Sequence, residues 1–276
     1  MKKLLTLLLF LICPVIYAEE TYTLIVPFPP GGGTDITARY VTEKVTKQFG
    51  DKFIVVNKPG ANGMIGFHSM IETSKSNPNV LYFGTVGTNV VENIINPNVR
   101  WNILQETKTV VFLGKFEHQL IALTESPYNK LSDIKNANIG TYTSSVEMFV
   151  KLLDIENKNN NAIVPYKGEA PARLALLSKE IDIVSDTSVM TDDFKKKTKV
   201  ITSGNQLGVY GVYSITALKS FDEATLNTLN EKFNTVLKDF EVQQWLAQRN
   251  LFGSGGTPAD GDRVYLKIKS VYEKLK

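Results

Sequence analysis

The stretch Ile25-Val-Pro-Phe-Pro-Pro-Gly-Gly-Gly-Thr-Asp35 constrains this chain more than any other. An apolar strand, Thr23–Pro27, runs into prolines and three consecutive glycines, and a helical pattern starts at Asp35. Strand, glycine loop and helix start in that order bring unpaired backbone N–H groups to one point. The first turn of a helix has N–H groups without partners, and its dipole end is partly positive. Glycine lets a ligand approach the backbone closely. The combination favours an anion. The same residues also read as an ordinary strand–helix connection.

Met1–Ala18 has the form of a secretory leader, with Lys2 and Lys3, the apolar run Leu4–Ile12 and a small residue, Ala18, at the cleavage position. The run is shorter than the roughly 20 residues that span a bilayer. Cys13 follows Ile12, where a lipid-attachment signal needs a small residue. Cleavage removes this single cysteine and leaves 29 of the 31 basic residues against 28 acidic ones. Such a near-neutral chain gives no support for nucleic-acid binding. About 258 of the 276 residues remain, enough for one large or two modest domains with real cores. The two histidines, His68 and His118, have no partner at ligand spacing, so no metal site is expected, and both read as surface or hydrogen-bonded residues.

Short apolar runs alternate with helical patterns, which argues for an α/β architecture. Expected strands are Thr23–Pro27, Phe53–Asn57, Val80–Gly84, Val110–Leu113, Leu120–Thr124, Ala137–Gly140, Ile163–Pro165 and Ile181–Val184, with Val209–Ala217 as a long apolar crossing segment. Expected helices are Asp35–Phe49, stopped by Gly50, then Ile65–Thr73, Val146–Leu153, Ala170–Lys179, a run from Phe221, Val242–Leu251 and Asp262–Leu275. Leu226, Leu229, Phe233, Val236, Leu237 and Phe240 form one apolar stripe of core type. Lys58–Gly63 and Thr85–Thr88 are further small-residue loops at strand ends. Thr141–Ser145 repeats the strand–loop–helix device, with Ser144 or Ser145 near the N-cap. Lys195–Lys199 reads as a solvated loop.

Catalytic signatures are missing. The triple glycine lacks the Gly-Lys-Ser/Thr of a nucleotide loop and the G-x-G-x-x-G dinucleotide spacing, and no G-x-S-x-G elbow occurs. No cofactor is expected.

Val26-Pro-Phe-Pro-Pro-Gly-Gly-Gly-Thr-Asp-Ile-Thr-Ala-Arg39 strongly resembles the signature of the periplasmic solute receptors of tripartite tricarboxylate transporters, the Bug receptors. Val55-Val-Asn-Lys-Pro-Gly-Ala-Asn-Gly-Met-Ile-Gly66 is similar to the second signature of that family and Val164-Pro-Tyr-Lys-Gly168 to its third, with looser similarity at Gly84–Thr88 and Gly211–Ala217. The chain departs from the family pattern at Ser76–Val80, where an Asp-Gly pair is usual, and in a shorter segment between Lys199–Ser203 and Gly208.

The resemblance implies a two-domain periplasmic binding protein of type II, the Venus-flytrap form, with a central ligand cleft and two crossing segments. One domain would comprise residues 19–121 and 218–276, and the inserted one residues 122–217. A small organic acid would lie between them, its carboxylate held by backbone N–H groups. The matching positions are Phe28, Gly32, Gly33, Thr34 and Asp35 in the first loop, Ala61 and Gly63 in the second, and Gly87 and Thr88 in the third. Ser144, Ser145 and Asp186 would face them from the other domain. Asp35 either caps its own helix or accepts from an amine on an amino-acid-like ligand. Arg39 is placed to reach a neighbouring carboxylate. Tyr166 and Lys167 either line the cleft or shape a turn. The implied partner is a membrane permease, with the receptor a monomer. A ligand sensor acting on a signalling partner would use the same cleft, and an enzyme on this scaffold is a third reading that the missing signatures disfavour.

Overall fold

The computed structural model describes residues 20–157, 160–187, 189–204 and 209–274. The expected leader, Leu275 and positions 205–208 lie outside the described residues. The chain forms β1 (Thr21–Val26), α1 (Gly33–Phe49), β2 (Lys52–Asn57), α2 (Met64–Ser74) and β3 (Val80–Thr85). A π-helical turn, Gly87–Val91, continues into α3 (Glu92–Ile95), followed by α4 (Ile103–Glu106) and β4 (Thr107–Leu123). Then come β5 (Asn138–Thr141), α5 (Ser144–Asn157), β6 (Ala162–Pro165), α6 (Glu169–Leu177), β7 (Ile183–Thr187), α7 (Asp192–Lys197) and β8 (Thr198–Ser203). The chain closes with β9 (Tyr210–Leu218), α8 (Glu223–Leu237), α9 (Phe240–Gln248) and α10 (Pro258–Lys274).

The strands form one path, β2-β1-β3-β9-β4-β7-β5-β6, with β8 attached to β4. β1 runs parallel to β2 and β3, and β5 runs parallel to β6 and β7. β4 joins the two halves. Its residues from Thr107 to Glu117 pair with β9, and from His118 onward it pairs with β7 and β8. The sequence suggested two separate strands here. A single strand runs through because Lys115 and Glu117 interrupt the apolar run only on alternate positions, while the backbone ladder continues.

Alternation along the strands buries both faces of each half. In β1, Leu24 and Val26 meet α1 and α8 residues such as Val41 and Phe233, while Ile25 meets Phe67 and Met70 of α2. In the other half, Leu120 and Ile183 pack with Phe149 and Val150 of α5, whereas Ile121 and Val184 pack with Ala172 and Leu176 of α6. A buried ion pair, Lys232 Nζ to Asp51 Oδ2 at 2.7 Å, ties α8 to the start of β2.

Several expectations change. Thr85–Thr88 is not a loop: the chain turns straight from β3 into helix, because Thr88 Oγ1 takes the Thr85 N–H at 3.1 Å and closes the turn. Lys195–Lys199 is not a loop: Lys195–Lys197 end α7, and Thr198 and Lys199 begin β8, which pairs with β4. Phe240 leaves the apolar stripe. It is 75% exposed at the start of α9, since Asp239 caps a new helix there and turns the chain away. His118 is fully buried between the Phe116 and Phe149 rings, with neither ring nitrogen hydrogen-bonded among the described residues, and burial pushes its pKa down to about 4.

Candidate functional site

The C-terminal ends of β1 and β3 point towards those of β5, β6 and β7, because the two parallel sets are joined through antiparallel pairing with β9 and β4, and the strand ends and turns there enclose a cavity of about 460 Å³ of atom-free space, part of it open to solvent. The β1–α1 loop contributes Phe28, Pro29, Gly32 and Thr34. The other half contributes Tyr142, Thr143 and Ser145 at the start of α5, Glu169 and Ala170 at the start of α6, and Thr187. Thr85, Phe116 and Tyr213 form the floor. A wider outer cavity adjoins it, lined by Phe28, Pro29, Ala61, Gly63, Tyr142, Tyr166 and Lys167.

The expected residues divide among these places. Phe28, Gly32, Thr34 and Ser145 line the inner cavity. Ala61 and Gly63, with Tyr166 and Lys167, line the outer one. Gly87 backs Ser145: a Cβ on Gly87 would stand 3.2 Å from Ser145 Oγ. Thr88 is spent on the Thr85 turn and on Asn89 Oδ1 at 2.8 Å. Ser144 donates to the buried Glu92 carboxylate, a contact between the halves. Thr143, rather than either serine, faces the α5 helix start, its Oγ1 lying 3.5 Å from Val146 N.

Asp35 belongs to its own loop. Its carboxylate accepts from Gly31 N at 2.9 Å, Arg39 Nε at 3.0 Å and Asn57 Nδ2 at 2.9 Å. Burial alone would raise its pKa, but these hydrogen bonds outweigh it and hold the carboxyl below its usual range. Asp186 is likewise internal. It pairs with Arg173 Nε at 2.6 Å and accepts from Tyr142 Oη at 2.7 Å.

Glu169 is the main residue that sequence reasoning missed. Its Oε2 accepts from Gly33 N at 2.7 Å, so a carboxylate of the protein itself occupies the start of α1. Its Oε1 touches the Arg173 guanidinium. Arg173 also holds both Asp186 oxygens and the Val189 carbonyl. Burial pushes the Glu169 pKa up, against the pull of Arg173 and with the repulsion of Asp186 behind it, to about 7. The Tyr142 and Tyr213 hydroxyls are raised by burial and by the same acids, and so stay protonated donors. A signal for Glu169 did exist: an acid in a helix first turn, four residues before Arg173, directly after Tyr-Lys-Gly.

The family model for the tripartite tricarboxylate transporter family receptor matches residues 37–247. The chain belongs to this family. Among curated relatives, the UPF0065 protein in the tcbD-tcbE intergenic region of Pseudomonas sp. (strain P51) is 23% identical, over 88% of this receptor and 81% of that protein. Protein BugT of Bordetella pertussis is 25% identical over 58% of this receptor and 52% of its own length. Among solved structures, R. palustris Rpa4515 with adipate superposes with a TM-score of 0.84 at 18% identity, covering 93% of this receptor and 96% of that chain. MatC (Rpa3494) from Rhodopseudomonas palustris with bound malate gives 0.79 at 20% identity, covering 95% and 99%. The periplasmic binding protein BugD gives 0.78 at 18% identity, covering 94% and 97%. At such identities the structural likeness establishes the type II periplasmic-binding-protein fold.

Proposed function

We propose that this receptor closes on a small organic acid in the periplasm and delivers it to the membrane permease of a tripartite tricarboxylate-type transporter. The observation that carries the reading is the inner cavity, walled by the β1–α1 loop on one side and the starts of α5 and α6 on the other. The start of α5, which lines this space through Thr143 and Ser145, suits a carboxylate. The adipate and malate held by two structural relatives support that ligand class. The two domains are residues 19–121 with 218–276, and residues 122–217, and closure between them shuts the cleft. The change of β4 partners at His118 lies close to that first boundary. The leader is cleaved after Ala18, and the mature chain acts as a monomer without catalysis.

The test is mass spectrometry of small molecules released by denaturing the mature protein, purified without added ligand, followed by calorimetry with a panel of small acids. The expected outcome is one stoichiometric organic acid, or micromolar binding of a panel member. A protein that releases no acid and binds none of the panel defeats the proposal.

A further inference from the structure

The inner cavity carries one buried negative charge too many. Glu169 is 7% exposed and Asp186 is fully buried, and the two acids share the single guanidinium of Arg173. No lysine or arginine is among the described side chains lining this cavity. Lys167 borders only the outer cavity. Among the described residues, the remaining charged and titratable side chains near it add no positive charge. Asp35 on α1 is engaged with Arg39, His118 on β4 is held neutral by burial, and Tyr142 and Tyr213 are neutral donors. A buried carboxylate that must share its one guanidinium with a second acid is under-compensated, and a proton or a cation relieves it.

The rest of the lining suits a cation with an acid at its other end. Phe28, Phe116, Tyr142 and Tyr213 present aromatic walls, which favour an ammonium over a second carboxylate. Thr143 and Ser145, whose hydroxyls lie 3.1 Å apart, sit with Thr85 at the start of the 14-residue α5, where an anion is stabilised. The start of α1, by contrast, is already filled by Glu169.

We propose that the ligand of this receptor is a small zwitterion whose ammonium group pairs with Glu169 and whose carboxylate sits at the Thr143–Ser145 end of α5. This rests on the small-acid receptor reading and narrows it. Glu169, not Asp35, is the acid that recognises the amine. A dicarboxylate would place a second anion against Glu169 and is disfavoured.

The test is calorimetry on the mature protein at pH 8 with matched pairs: L-glutamate and glutarate, L-leucine and 4-methylpentanoate, 5-aminopentanoate and pentanoate. In at least one pair the amine-bearing acid is expected to bind at least about tenfold tighter. Glu169→Gln should bring that ratio to within about twofold, and Glu169→Asp, which keeps the charge, should retain part of it. Melting temperatures of the variants confirm folding, and at pH 6 the wild-type preference should shrink as Glu169 takes up a proton. If the deaminated acids bind as tightly in every pair and Glu169→Gln leaves the ratios unchanged, the inference fails while the receptor reading stands. If no member of any pair binds, both fail.

Discussion

At the scale of single residues, Glu169 makes the ligand-free protein sensitive to pH. Its pKa rises from 4.5 to about 7 in the folded chain, chiefly through burial. Between those values the folded protein holds a proton that the unfolded chain has released, so stability falls as pH rises through this window. The full contribution is present below pH 4.5 and is lost above pH 7. The upper limit of the effect is about 3 kcal/mol. Thermal melts of wild type and Glu169→Gln between pH 5 and 8 check this. The wild type is expected to lose stability relative to the variant across the range, and parallel curves would show that the carboxyl is not perturbed. Much of this cluster was hidden in the sequence. Asp35 and Asp186 stood at plausible positions, yet their oxygens are consumed by Arg39, Asn57, Arg173 and Tyr142. Which acid faces the cavity depends on side-chain partners that lie up to 136 positions apart, as Glu169 does from Gly33.

At the scale of elements, the strand ends and the turns after them build the site. The β6–α6 turn meets the β1–α1 loop so closely that a Cβ on Gly168 would stand 2.8 Å from Pro29 Cγ, and the residue has φ +158°. A proline ring cannot swing aside as a flexible side chain can. Gly168→Ala therefore holds the two loops apart at a cost of ~1–3 kcal/mol. Calorimetry with the tightest-binding acid of the panel should show about a tenfold loss of affinity, with a small change in melting temperature. Unchanged affinity would mean that this contact plays no part in closure. The longer helices were legible to within about four residues, whereas the short α3 and α4 were not. α1 ends at Phe49 because Gly50 donates its N–H to Thr46 O, and α8 starts where Asp222 accepts from Thr225 N at 2.8 Å. Such signals are local, so they survive in the sequence. α7 and β8 were not legible, because Lys195–Lys197 form a charged run that closes α7 and Thr198–Ser203 becomes a strand only by pairing with β4.

At the scale of the whole molecule, β4 is the mechanical link. Its Thr107–Glu117 portion is laced to β9 and its His118–Leu123 portion to β7 and β8, so both halves share one ladder. Val110, Val111, Leu113, Leu120 and Ile121 on this strand are buried in the cores of both halves. Unfolding either half exposes part of the same strand. Calorimetry is expected to give a single cooperative transition. Two resolved transitions would show that the halves melt independently and that the shared strand does not couple them.

The sequence by itself determined the α/β alternation, the glycine-rich loop after β1, the existence of the longer helices and the family, because each depends on local backbone preference or on a contiguous motif. The tertiary structure decided which residues face the inner cavity. Phe28, Gly32, Thr34 and Ser145 reach the inner cavity, whereas Ser144 is turned to Glu92 and Thr88 to its own turn. It also decided that Glu169 enters the cavity, since the balance of charge around one guanidinium exists only after α6, β7 and the β1–α1 loop have packed together.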